Sequence, residues 1–343
     1  MNALKNNSVL FTAMCVLLLL LFLANISLGS VAIPLDEVIA ALIGSDTTKD
    51  SWVYIIQSYR LPKAITAVLI GSGLSACGLL MQTLFRNPLA GPFVLGLSSG
   101  ASLGVAMLIL GASIFGGFFA SFLLSQWSIV IASAFGSLLV LLAVLAVAFR
   151  VKETMAILII GLMFGSFTAA IVSVLAYFSP AEQLQKFVFW SFGSLGNNSW
   201  EGISILAFCW IIGVLLAIVT IKPLDAFLLG ENYAKSQGLA LKKNKLLIII
   251  ATCILAGSAT AFAGPIAFIG LAVPHIVRQF FATASHKILL PAVLIFGALL
   301  MLVCDSIAQL PFSDYSLPIN AITSLVGAPV VIWLLVRKRK LLF

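Results

Sequence analysis

The feature that most constrains this chain is a series of ten long, predominantly apolar runs, at residues 8–28, 64–84, 93–110, 127–149, 155–178, 203–221, 246–262, 266–281, 288–310 and 318–336. The hydrocarbon core of a bilayer, about 30 Å thick, takes roughly 20 residues of helix, and backbone groups at that depth must be satisfied within the segment. The runs therefore predict an all-α polytopic transmembrane bundle of about ten helices, with residues 1–343 forming a single membrane domain. Composition agrees: 62% of the 343 residues are hydrophobic and 9% charged, against about 25% charged in a soluble domain. The run 8–28 is long enough to span and lacks an Ala-x-Ala cleavage site, so it reads as the first span rather than a signal peptide. Between 246–262 and 266–281 only Ala263-Gly264-Pro265 intervenes. Gly-Pro breaks helices, which predicts a tight turn between two short or bent ones.

Orientation follows from the basic residues, because cytoplasmic loops retain Lys and Arg. With both termini inside, all of the 19 Lys and Arg except Lys49, Arg60, Lys63 and Lys186 fall on the cytoplasmic side, including Arg150, Lys152 and the run 337–340. The outer segments carry Asp36, Glu37, Asp46, Asp50, Glu182, Glu201 and Asp314. The net charge of +8 thus reflects topology, and no basic stripe interleaved with aromatic or polar residues suggests nucleic acid. Two loops exceed simple connectors: the polar, acidic external stretch 29–59, and the internal stretch 222–245, which has the pattern of short amphipathic helices. A third, 179–200, is external and places Trp190 and Trp200 at the membrane interface.

Ionisable groups inside a membrane are costly and usually functional. Here the ten runs contain only Asp305, His275 and Arg278. A proton relay or sodium site would need intramembrane carboxylates or broken-helix cation sites, which disfavours an ion-coupled secondary transporter, the main alternative reading. A membrane-embedded enzyme would need a catalytic cluster, which is also missing. Uphill transport would have to draw energy from another chain, since no GxxxxGK[ST] phosphate loop occurs in the sequence. Cys15, Cys77, Cys209, Cys253 and Cys304 all sit in apolar runs without a CxxC pair and read as small core residues. His275 has no cysteine or carboxylate at ligand spacing and reads as a structural hydrogen-bonding group. Neither cofactor nor metal is expected.

Small residues recur at four-residue spacing, Ala67, Gly71 and Ser75 in the second run, then Gly96, Gly100 and Gly104 in the third. Such a face permits close helix packing or, with Ser98, Ser99 and Ser102, a pathway lined by small groups. The segment from Arg86 to Pro92 cannot continue a helix, because Pro88 and Pro92 interrupt it and Gly91 permits a sharp turn. A hinge and a rigid turn fit it equally.

These residues resemble the FecCD family of ABC importer permeases. The resemblance rests on Arg60-Leu61-Pro62-Lys63, Gln82 with Arg86-Asn87-Pro88-Leu89-Ala90, and Leu95-Gly96 with Ser98 to Gly100. It continues through Gly264-Pro265-Ile266-Ala267-Phe268-Ile269-Gly270-Leu271, Pro274-His275 with Arg278, Leu290-Pro291, Asp305, Leu317-Pro318-Ile319 and Gly327-Ala328-Pro329. It implies a type II ABC importer permease of ten helices, working as a homodimer with the path at the dimer interface, in the bacterial cytoplasmic membrane. It also implies two cytoplasmic ATPase subunits, which bind the ATP, and an external binding protein delivering an iron complex, ferric siderophore ranked first, haem or cobalamin next. By the same resemblance Arg60, Lys63 and Gln309 would dock the binding protein, with Gln309 standing where the family often has Arg. Asn87, Pro88, Leu89 and Thr154 would form a cytoplasmic gate, and Gly96, Ser99 and Gly100 would line the path. Ala234, Gln237, Gly238 and Leu239 would contact the ATPase, with Gln237 in place of the usual Leu.

Overall fold

A computed structural model describes residues 2–45, 47–111, 126–148, 154–311, 313 and 315–336. Asp46, Arg150, Lys152, Asp314 and the run 337–340, used above for orientation, lie outside the described residues. Regular structure among the described residues is entirely helical. The helices are α1 (Asn2–Ser27), α2 (Leu35–Ile43), α3 (Asp50–Ile55), α4 (Leu61–Phe85), α5 (Leu97–Ile109), α6 (Gln126–Ala148), α7 (Thr154–Tyr177) and α8 (Ala181–Ser191). They continue as α9 (Trp200–Val219), α10 (Ile221–Leu228), α11 (Glu231–Ser236), α12 (Leu241–Ala263), α13 (Ile269–Phe281), α14 (His286–Ala308) and α15 (Ile319–Val336). Seven helical stretches of the described residues are long and apolar enough to cross a membrane, and α5 and α15 are shorter apolar helices.

A helix that is apolar all round belongs either in the middle of a bundle or against lipid, and both cases occur. The apolar window containing α4 is 83% buried, whereas those of α1 and α7 are 11% and 17% buried. Helix α4 is the central post, packed by α9, α12, α13 and α14, while α5 packs on α6 and α7, and α12 touches both groups. Close backbone approach holds the crossings, since lipid provides no hydrophobic drive for association. A Cβ on Gly71 would overlap Gly297 of α14, one on Gly78 would overlap Gly270 of α13, and one on Gly100 would overlap Gly136 of α6. Outward, α7 presents Ile159, Leu162, Met163, Phe167 and Val174 as exposed large side chains.

The structure departs from the sequence expectations in three places. The external stretch 29–59 is largely helical: α2, then α3, which runs through a π-turn at Ile56–Arg60 directly into α4. Pro62 explains the turn, because it has no N–H for the carbonyl one turn earlier and its ring crowds that position. The run 93–110 is not one helix but a 3₁₀ turn, Pro92–Leu95, then Gly96 at φ 72°, then α5. A side chain at Gly96 would meet Val140 Cγ1 at 3.0 Å and Gly161 O at 3.1 Å, so both space and backbone require glycine. Where a tight turn was expected, α12 ends at Ala263, Gly264 adopts φ 73°, and a non-helical link leads to α13. That link is tied down by Ser194 N–H to Ala263 O at 2.9 Å and by Ala267 N–H to Asn320 Oδ1 at 3.0 Å.

Candidate functional site

Polar chemistry gathers at two places. The first is a cleft of about 750 Å³ bordered by Tyr59, Arg60, Lys63, Phe189, Phe192, Asp305, Gln309 and Tyr315. Asp305, near the end of α14, is 1% exposed. Its Oδ1 lies 3.0 Å from Lys63 Nζ. Its Oδ2 accepts Asn25 Nδ2–H at 3.0 Å and Gln309 Nε2–H at 2.7 Å. A buried charge is tolerated only when paired and hydrogen-bonded, and here both oxygens are.

Arg60 has a different task. Helix α1 ends at Ser27, and the last carbonyls of a helix have no partner within it. Arg60 Nη1 donates to Ile26 O and Ser27 O, both at 2.8 Å, and Nη2 donates to Val31 O. A guanidinium at a helix C-terminus also complements the negative end of the dipole. The three residues expected to dock a binding protein therefore share one cleft, but their polar groups turn inward. Arg60 caps α1, while Lys63 and Gln309 hold Asp305. Asn25 was the residue missed; a single amide within an otherwise apolar run was its only signal.

The second place joins the end of α4 to α10–α14. After α4, Arg86 takes φ 46° and the chain turns. Asn87 Oδ1 accepts Leu89 N–H at 2.9 Å, closing an Asx turn. His275 of α13 donates Nε2–H to Pro88 O at 2.8 Å, the structural hydrogen bond expected of it. Of the two options for this segment, the bonding is that of a fixed turn, with Leu89 exposed. Gln82 Nε2–H donates to Leu271 O at 3.2 Å. Thr154 opens α7, which packs on the Pro92–Leu95 turn.

Nearby, α10 and α11 form a short helix pair. Helix α10 buries Pro223, Leu224 and Phe227. Helix α11 is tied to α12 by Lys245 Nζ and Glu231 Oε1 at 2.8 Å. Of the expected ATPase contacts, Ala234 is buried and Leu239 half-buried, while Gln237 and Gly238, the latter at φ 78°, are exposed. Asp225 Oδ1 accepts two bonds from the start of α14, His286 N–H at 2.9 Å and Nδ1–H at 2.6 Å. Burial works to raise the Asp225 carboxyl, but the bonds from His286, with Lys287 nearby, hold it below the usual carboxylate range. The far ring nitrogen of His286 lies 2.9 Å from Thr83 Oγ1 of α4.

The expected path residues lie between α5, α6 and α7. Gly96 and Gly100 are buried in the α5–α6–α7 packing and Ser99 lies against Gly165 of α7.

An apolar helical bundle with seven stretches long and apolar enough to cross a membrane defines a multi-pass membrane protein. Residues 17–337 match the FecCD transport family, and the chain belongs to it. It is 35% identical over 290 residues to the vitamin B12 import system permease protein BtuC of Klebsiella pneumoniae, covering 83% of each chain. It is 33% identical over 323 residues to the hemin transport system permease protein HmuU of Yersinia pestis, covering 94% of this chain and 95% of that one. Among solved structures, a metal-chelate type ABC transporter in an inward-facing conformation superposes with a TM-score of 0.82 at 25% identity, over 96% of this chain and 99% of that one.

Proposed function

We propose that this chain is the membrane-spanning permease of an ABC importer, with two copies forming the path and a separate pair of cytoplasmic ATPase subunits supplying energy. An external binding protein docks over the cleft at Asp305, and both termini are cytoplasmic. The observation that carries this reading is the state of Asp305. It is the one carboxylate within the ten apolar runs, and it is paired with Lys63 and two amides. No carboxylate in those runs is left for a coupling ion. The exposed apolar face of α7 suits burial against a second copy.

The cargo is a bulky metal chelate. Ferric siderophore, haem and cobalamin fit that description, and the names of the relatives raise haem and cobalamin to the level of siderophore. The test is reconstitution in vesicles with the ATPase subunits and a panel of binding proteins carrying each compound. Cargo uptake should require ATP, survive an uncoupler, and occur with one class of chelate. Uptake without the ATPase subunits that collapses with an uncoupler overturns the reading.

A further inference from the structure

We propose that Asp225, His286 and Thr83 form a polar joint that makes the cytoplasmic pair α10–α11 move as one body with α4 and α14. The inference rests on the reading that α10–α11 receives the ATPase.

The geometry is specific. Ser285, the residue preceding α14, gives no side-chain cap. The cap comes instead from another element, the Asp225 carboxylate of α10, which takes the His286 backbone and ring N–H on one oxygen. A carboxylate is suited to a helix N-terminus, where N–H groups lack partners and the dipole is positive. With Nδ1–H committed, Nε2 of the neutral ring accepts the Thr83 hydroxyl in the last turn of α4. Both His286 and Thr83 are fully buried. One carboxylate oxygen thus links α10 to α14, and the imidazole carries the link on to α4. Three residues beyond Thr83, in the turn that leaves α4, Arg86 reaches over Gly230 between α10 and α11.

Stability alone does not call for this arrangement. Pro223, Leu224 and Phe227 already bury the inner face of α10. A polar contact of this kind, with the Asp225 side chain 39% exposed, is weak evidence for stability, and the best-attested role of such contacts is to fix register. Apolar packing can hold α10 on the core while letting it slide, but the polar joint allows one seat. Work done on α10–α11 then reaches α4 and α14, whose far ends meet at Lys63 and Asp305 beside the outer cleft. Asp225, His286 and Thr83 are positioning residues; none is required to touch cargo or nucleotide.

The experiment uses the complete complex in vesicles, with the chelate that the wild-type complex imports, and reads cargo moved per ATP hydrolysed. Thr83→Val is nearly isosteric and removes only the hydroxyl; Asp225→Asn removes the charge; Thr83→Ser restores the hydroxyl. Expected is a fall of at least about five-fold in cargo per ATP for Thr83→Val and for Asp225→Asn, no further fall in the double variant, and recovery in Thr83→Ser. A merely structural role would lower the amount of complex without moving the ratio. A cross-linker placed with Gln237→Cys in the otherwise wild-type chain reports ATPase docking separately. If it captures the ATPase and Thr83→Val leaves the ratio unchanged, the joint is refuted. If it captures nothing, the docking reading falls and takes the joint with it.

Discussion

Removing Lys63 should destabilise the protein through Asp305, and removing both charges should largely repair the damage. Lys63 is 23% exposed, whereas the Asp305 side chain is 2% exposed. Lys63→Met keeps the aliphatic stem but leaves a buried carboxylate with two neutral amide donors, Asn25 and Gln309. Deleting one partner of a buried pair costs about 3–5 kcal/mol. The surviving amide bonds place the expected loss near the lower end, about 3 kcal/mol. In Lys63→Met/Asp305→Asn no charge is stranded, and the residual loss should be on the order of 1 kcal/mol, the size of one net hydrogen bond. Lys63→Glu should be worse than Lys63→Met, because it sets a second carboxylate about 3 Å from the first.

Thermal melting of purified protein in detergent measures the order: wild type, then the double variant, then Lys63→Met, then Lys63→Glu. A Lys63→Met protein that melts with wild type, or a double variant no more stable than Lys63→Met, refutes the reasoning. The same set separates docking from structure. If Lys63 serves Asp305, as its geometry says, the double variant should still associate with the binding protein.

Three further outcomes can be checked directly. Gly78→Ala would put a methyl 2.5 Å from the carbonyl carbon of Gly270, whereas nothing lies within 4 Å of the corresponding position at Gly257; the first should lose about 1–3 kcal/mol, the second should be neutral or gain, and equal melting temperatures would count against the α4–α13 crossing. Tyr315 is 81% exposed on the rim of the outer cleft, so Tyr315→Ala should weaken binding-protein association about 5- to 30-fold, or about 1–2 kcal/mol, without altering melting; unchanged affinity would move the docking face elsewhere. Because the folded Asp225 carboxyl titrates below its ordinary value of 3.8, its contribution is complete above that value and is lost as pH falls through the lower folded one; the stability gap between wild type and Asp225→Asn should not shrink from about pH 8 to 5, and shrinkage there would contradict the bonding described.

The apolar runs were legible because each segment must satisfy its own backbone in lipid; each overlaps a described helix, although 93–110 divides into a 3₁₀ turn and α5. The boundaries were less legible. Whether Pro92 starts a helix or a 3₁₀ turn depends on Val140 and Gly161, which approach Gly96 from distant parts of the chain. At the outer cleft the motif positions Arg60, Lys63 and Gln309 were readable, but not the direction of their side chains. That direction is set by the open carbonyls at the end of α1 and by a buried carboxylate 242 residues beyond Lys63. His275 needed less, since a lone histidine without nearby ligands has few roles other than a hydrogen bond. His286 carried no such signal, because its two partners, Thr83 and Asp225, lie in separate helices.

These separate bonds describe one object when α4 and α14 are followed along their lengths. The two helices are antiparallel. Lys63 in the first turn of α4 meets Asp305 near the end of α14, Gly71 meets Gly297 between, and Thr83 in the last turn of α4 meets His286 at the start of α14. At 1.5 Å per residue, the outer and inner contacts are about 30 Å apart, the thickness of the hydrocarbon core. A helix pair fastened at both ends and in backbone contact near its middle cannot easily slide or splay, so displacement at one end appears at the other. The two fastenings are too distant to share partners, so their stability losses should add: Lys63→Met/Thr83→Val should lose the sum of the single losses within about 0.5 kcal/mol. Their effects on transport should not add, because either break alone frees the pair. Coupled stabilities with independent transport defects would show that α4 and α14 do not act as a single strut.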